Sequence, residues 1–333
     1  MLIAPLCAHF KNFSLAQPGG CLIGARPIDA HLESIKQFGV NVKITSDQYV
    51  FSYTNLKATE IILKEFSVTA TENVLMLAAV LPGKTVIKIA AIEPHVLDLV
   101  KFLQGMGADI KELPGHIFEI NGKKTLAGNK KHMIIPDPVE AGTFIIMGIA
   151  CHGKMQINNV RIDHLDLVFK KLEEFGAKFE FKKQSGKENL YSIIIKPTLH
   201  LNSVSKLQAL PYPGIPTDLQ SMFGVLATQA DGTTIIHDPL YEGRLRYIEE
   251  LNKMGANAIL ADPHRALISG PTPLYSRDIT SFDLRTGACL IVAALLAKGQ
   301  TKIGDIHQVD RGYEKIEERL TKLGVNIKRI IEE

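Results

Sequence analysis

Apolar and polar positions alternate with two periods along this chain, and the switch between them recurs. QFGVNVKI ends at Ile44, GMGADIKE at Glu112, EFGAKFEF at Phe181, KMGANAIL at Leu260 and KLGVNIKR at Arg329. In each, a helical 3.6-residue pattern stops at a glycine and an alternating strand pattern begins. The glycines are Gly39, Gly107, Gly176, Gly255 and Gly324, spaced 68, 69, 79 and 69 residues apart, so the chain is an internal repeat of five copies. The second copy shows every part. Residues 71–83 predict an apolar helix and its stop, 84–90 a strand, 95–106 an amphipathic helix, and 108–113 with 116–122 a hairpin. This is a βαβαββ unit. One such unit cannot bury both faces of its helices, so several must pack together, and two multi-unit domains are expected, residues 1–135 and 136–333.

In the first copy the second helix, PIDAHLESIKQF, already starts at Pro27, which is placed at its first position. Residues 2–10 then fall where a first helix belongs, and the register predicts that Met1 lies inside a unit whose opening strand is absent. An incomplete unit leaves an apolar edge open to self-association. A monomer is otherwise expected.

The chain of 333 residues is 46% hydrophobic, enough for two ordinary cores, and disorder is excluded. A net charge of +3 gives no reason to propose a nucleic-acid or membrane-surface partner. No apolar run reaches the length of a membrane span. Cys7, Cys21, Cys151 and Cys289 show neither metal-ligand nor disulfide spacing, which suits a reducing, cytoplasmic setting. The histidines have no metal-ligand spacing, and dinucleotide and P-loop motifs are lacking, so no metal and no organic cofactor is expected. Met76, Met106, Met133, Met147, Met222 and Met254 read as core filler.

Arginine recurs near the start of second helices, as Arg26, Arg244 and Arg311, where the other copies carry Glu93 and Asp163. A helix N-terminus is already partly positive, so repeated cations there point to a bound anion, or else to salt bridges with a neighbouring unit. The loop PGGCLIGARP, residues 18–27, has the glycines to approach a ligand closely. Its Cys21 is a candidate nucleophile or proton donor, with Arg26 nearby to favour the thiolate, or a small buried hydrophobe. Asp218 opens an apolar helix, either as its cap or as an ionised base for a substrate hydroxyl. Asp283 and Arg285 repeat that pattern one unit later.

The pieces PGGCLIGARPID, EAGTF, PTDLQ, EGR, DLR and VDRGYEKIE, in that order, resemble the UDP-N-acetylglucosamine 1-carboxyvinyltransferases. The resemblance implies an α/β inside-out fold of repeated βαβαββ units in two domains, with the active site in the cleft between them. It implies transfer of the enolpyruvyl group of phosphoenolpyruvate to the sugar 3-hydroxyl with release of phosphate, the first committed step of peptidoglycan precursor synthesis. On this likeness Cys21 is a general acid able to form an adduct, and Asp218 accepts the hydroxyl proton. Arg26, Arg285 and Arg311 hold phosphoenolpyruvate, and Arg244 and Asp283 support them. The nucleotide sugar would lie along Arg26, Pro27, Ile28, Asp29 and Ala30, against Ser67 and Val68, with Leu240 lining the other domain. Two departures stand out. The family's Lys-Asn pair and a further arginine would precede Met1, and Pro138 stands where the family commonly has arginine. Two other readings are carried: 3-phosphoshikimate 1-carboxyvinyltransferase, against which the Cys21 loop speaks, and a truncated homologue that binds a nucleotide sugar or a partner without turnover.

Overall fold

The computed structural model describes residues 1–17, 19, 27–128, 131–186 and 188–330. These form two compact units, the first ending at Ile135 and the second starting at Pro136. The five punctuating glycines all have positive φ, between 79° and 98°, the left-handed turn that ends a helix and that side chains with a Cβ avoid.

Two copies are complete. In the first unit Glu60–Ile62 runs parallel to Gly83–Lys88, which pairs antiparallel with Ile117–Gly122, and Asp109–Leu113 lies at the far edge. In the second unit Lys206–Gln208, Gly232–His237, Arg265–Gly270 and Asn257–Asp262 repeat that order. The parallel strand is reached through an apolar helix, Val68–Val80 in one copy and Thr217–Ala227 in the other. Two further copies form three-stranded antiparallel sheets, Asn12–Ala16 with Gln48–Ser52 and Asn41–Ile44, and Met155–Val160 with Tyr191–Lys196 and Lys178–Lys183. The last contributes only the parallel pair Asp278–Thr280 and Lys302–Gly304 among the described residues.

The first helices explain the inside-out arrangement. Pro138–Ala150, Thr217–Ala227 and Leu284–Leu296 are apolar nearly all round and buried nearly all round, so they pack on one another and the sheets lie outside them. Gly142 permits this closeness: a Cβ there would come within 2.5 Å of Leu219. Val68–Val80 holds the same place in the first unit, packed by the helices Ile3–His9, Asp29–Gln37 and Pro94–Gly105.

The structure corrects three expectations. Pro27 lies before the cap: the helix is Asp29–Gln37, and Ile28 is its N-cap, accepting from the backbone of His31 and Leu32. Met133 is 89% exposed rather than core, because it lies in an extended stretch with no helix to turn it inward. Arg311 stands farther from its second helix than expected, whereas Arg244 lies three residues before one, as expected. Tyr247–Lys253 is capped by Arg246, whereas Arg311 ends the 3₁₀ turn Ile306–Arg311 and Ile316–Lys322 begins only after Lys315. Among the described residues no helix is long and apolar enough to cross a membrane.

Candidate active site

In the second unit, two buried first helices start beside each other and bring their opening residues together. Thr217–Ala227 carries Asp218 in its first turn, with Pro216 at the N-cap, so Asp218 caps nothing. Leu284–Leu296 is capped by Asp283, whose Oδ1 accepts from the backbone amides of Arg285 at 2.8 Å and Thr286 at 3.1 Å. Arg244 arrives from the turn before Tyr247 and lies between the two acids. Its Nη2 bonds Asp218 Oδ1 and its Nη1 reaches Asp283 Oδ1 at 3.4 Å. Arg285 Nη2 meets the other oxygen, Asp218 Oδ2, at 2.8 Å. Arg244 therefore joins the first-helix start of its own copy, at Asp218, to that of the next, at Asp283, and Arg285 reaches back to Asp218.

This constellation is well held. Asp283 and Arg244 are buried, whereas the Asp218 side chain keeps 34% of its surface open. Arg244 Nε donates to Thr217 Oγ1 at 3.2 Å, and Thr217 in turn donates to Asp238. Asp238 is wholly buried, and its Oδ1 accepts from the backbone amide of Leu240 at 3.0 Å. Arg285 Nη1 donates to the hydroxyl of Tyr313 at 3.1 Å. Tyr313 is buried, which pushes its phenol up and keeps it protonated, and it shares a 2.7 Å hydrogen bond with Thr143 Oγ1. Thr143, Asp238 and Tyr313 were not singled out from sequence, although Thr143 and Tyr313 lie inside the EAGTF and VDRGYEKIE motifs.

Burial works to push the Asp218 carboxyl up, but the guanidiniums of Arg285 and Arg244 outweigh it and hold it below the usual carboxylate range. Asp218 is thus ionised at neutral pH. Arg311 donates to Gln308 Oε1 at 3.3 Å and lines a separate groove of about 520 Å³ with Asp137, Glu140, Asp310, Gly312, Glu314 and Arg319. Pro138 opens the helix Pro138–Ala150 behind the N-cap Asp137, a position where its missing N–H costs nothing. The cations at this helix end are Arg311 and Arg319, the latter bonded to Glu140 and stacked 4.6 Å over the Phe144 ring.

In the first unit the starts of Asp29–Gln37 and Val68–Val80 are pinned to each other. Ser67 is the N-cap of the second helix, accepting from Ala70 at 3.4 Å. The imidazole of His31 lies between the helices, Nε2 to Thr69 Oγ1 at 2.9 Å and Nδ1 to Asn73 Nδ2 at 3.0 Å. Asn73 Oδ1 accepts from the Ala4 amide, so its Nδ2 donates, and His31 Nδ1 must be unprotonated. Burial accordingly lowers His31 to about 4. The folded-state value lies below the unfolded one, so this stability is full above pH 6.5 and is lost as pH falls from 6.5 toward 4. A His31→Gln variant is expected to flatten the acid side of a plot of Tm against pH. An unchanged acid limb would show that His31 does not titrate there.

Pro27, Ile28, Asp29, Ala30, Ser67 and Val68 lie at this pinned pair of helix starts. Leu240 is 42% exposed in the second unit. Cys21 and Arg26 lie outside the described residues. Among the described residues no group of three or more histidine, cysteine or acidic side chains could hold a metal ion.

Inward apolar helices with outward sheets are the fold of an enolpyruvyl transferase, and the comparisons with known proteins place the chain in that class. Residues 1–320 match the family model of EPSP synthase (3-phosphoshikimate 1-carboxyvinyltransferase). The structure is similar to the enolpyruvyl transferase NikO from Streptomyces tendae, with a TM-score of 0.86 and 26% identity over 98% of this chain and 76% of that one. EPSP synthase from Acinetobacter baumannii, at 17% identity and a TM-score of 0.70, shares the fold, over 96% of this chain and 76% of that chain. Within this family the chain belongs with the UDP-N-acetylglucosamine 1-carboxyvinyltransferases. It is 42% identical to the one from Halothermothrix orenii over 94% of its own length and 73% of the relative's, and 39% identical to that from Campylobacter lari over 100% and 77%.

Proposed function

We propose that this protein transfers the enolpyruvyl group of phosphoenolpyruvate to the 3-hydroxyl of UDP-N-acetylglucosamine, releasing phosphate and opening peptidoglycan precursor synthesis. The observation that carries this reading is the ionised, half-open Asp218 clamped between Arg244 and Arg285 in a chain so similar to named carboxyvinyltransferases. Asp218 accepts the proton of the sugar hydroxyl, whose oxygen forms the new bond to the carbon bearing the phosphate. Cys21 delivers a proton to the methylene carbon. The tetrahedral intermediate then loses phosphate and a methyl proton, restoring the double bond. Arg285, Arg311 and Arg26 hold the phosphate and carboxylate, which guanidinium forks suit. Arg244 and Asp283 fix the aspartate. Arg26, Pro27, Ile28, Asp29, Ala30, Ser67, Val68, Asp218 and Leu240 are the residues proposed to bind the nucleotide sugar, with helix-start amides suited to its diphosphate.

Phosphate release with phosphoenolpyruvate and UDP-N-acetylglucosamine tests this. Release is expected with the nucleotide sugar and not with shikimate 3-phosphate, and is expected to be lost in Cys21→Ala. No release from the folded chain would support the binding-only reading.

The cysteines give a second test. Burial pushes the thiols of Cys7 and Cys151 up to about 11 and that of Cys289 higher still, so none forms a thiolate at neutral pH. Alkylation of the native protein is expected to modify Cys21 alone by peptide mapping, and phosphoenolpyruvate with the nucleotide sugar to protect it. Rapid native labelling of Cys7 or Cys289 would contradict this.

A further inference from the structure

The guanidinium of Arg285 is only partly used. Nε and Nη2 share one edge of its plane and form the fork that binds a carboxylate or phosphate with two parallel bonds. Asp218 Oδ2 takes Nη2 alone, at 2.8 Å, and Nε is buried with no partner among the described residues. A buried donor left in this way is uncommon and points to a ligand that is absent. Nη1, on the other edge, is fixed by Tyr313, which Thr143 anchors in turn. Tyr313 thus holds Arg285 by the edge opposite the fork, and the fork's one bond is to Asp218, whose side chain is 34% exposed. Asp218 has a second cation of its own, since Oδ1 is bonded to buried Arg244. It can leave Arg285 without becoming an unpaired charge.

We propose that Asp218 holds the fork of Arg285 in place of the substrate, and that an oxyanion of phosphoenolpyruvate takes over Nε and Nη2, releasing Asp218 Oδ2 to act as the base. This inference rests on the proposed transferase reading and gives it an order of events. Before the hand-over Asp218 is neutralised by two guanidiniums and is a weak base. Afterwards it keeps one guanidinium and has an anion beside it, both of which strengthen it. The base is therefore armed only when the acceptor carbon of phosphoenolpyruvate is in place. Tyr313 is a positioning residue in this scheme: it keeps the fork in plane while its occupant changes.

The test uses the full chain in three forms, wild type, Asp218→Asn and Tyr313→Phe, with thermal melts to establish folding. Binding of phosphoenolpyruvate and of inorganic phosphate is measured by calorimetry, and steady-state phosphate release is assayed on the wild type and Tyr313→Phe. Asp218→Asn is expected to bind both anions roughly fivefold more tightly, because a competing, partly exposed ion pair is removed. Tyr313→Phe is expected to bind them more weakly and to raise KM for phosphoenolpyruvate with KM for the nucleotide sugar unchanged. Should Asp218→Asn fail to fold, Asp218→Ser, which also lacks the charge, is read in its place. Loss of a negative charge alone would also tighten binding, so the deciding observation is a crystal structure of the wild type with inorganic phosphate. Phosphate on Nε and Nη2 with Asp218 displaced is expected. Asp218 still on Nη2 in that complex, or an Asp218→Asn affinity no tighter than wild type, overturns the hand-over while leaving an active transferase. A wild type that neither binds phosphoenolpyruvate nor releases phosphate overturns the transferase reading, and the hand-over with it.

Discussion

Asp218→Asn is expected to lower kcat by about 10³-fold, the middle of the range for removing a positioned general base. Asparagine has the same shape and its Oδ1 can still accept from one of the two guanidiniums, with its amide nitrogen turned to the other, but it cannot take the proton of a sugar hydroxyl. Folding is expected to persist because Asp218 keeps 34% of its surface open and caps no helix. The loss should therefore fall on kcat and not on the melting temperature. Steady-state phosphate release with both substrates saturating reads the effect. A fall of less than about tenfold would remove Asp218 from the role of base, since even a weak general base contributes more than that.

Arg244→Met acts on stability instead. Arg244 is the cation that both Asp218 and the buried Asp283 face, and its own side chain is only 7% exposed. Asp218 keeps Arg285 when Arg244 is removed. Among the described residues Asp283 then keeps its dipolar cap contacts and the Thr286 hydroxyl, and no ion pair. Leaving one member of a buried pair uncompensated costs about 3–5 kcal/mol. Urea denaturation followed on the full chain should show that loss. The double variant Arg244→Met with Asp283→Asn should recover part of it, because asparagine caps a helix nearly as well and carries no charge to strand. If the double variant is less stable than the single one, Asp283 matters to the unit as a cap and not as the partner of Arg244.

Much of the fold was legible because its signals are local. A glycine after the last helical turn is required where φ becomes positive, so Gly39, Gly107, Gly176, Gly255 and Gly324 carry the repeat in plain view. The hydrophobicity of residues 71–83 predicted an apolar helix, which is Val68–Val80. Pro27 and the boundaries of the second helices were misplaced because helix ends depend on a few competing hydrogen bonds. Met133 went wrong because an apolar residue has no face until an element gives it one.

The site divides along the same line. Sequence alone named the candidates for the chemistry: an aspartate at the start of one apolar helix, an Asp-x-Arg at the start of the next, arginines near second helices, and a loop cysteine. Each is a matter of residue type and order within a motif, which the chain writes out directly. Only the tertiary structure decided the pairing. Arg244 and Arg285 come from different copies and meet at Asp218, Asp238 supports the turn at Leu240 from inside the unit, and Thr143 reaches Tyr313 across 170 residues. The physical reason is that these bonds form only because three apolar helices bury one another, which fixes their starts side by side; the burial that removes water from those ends also makes each polar group there take a partner.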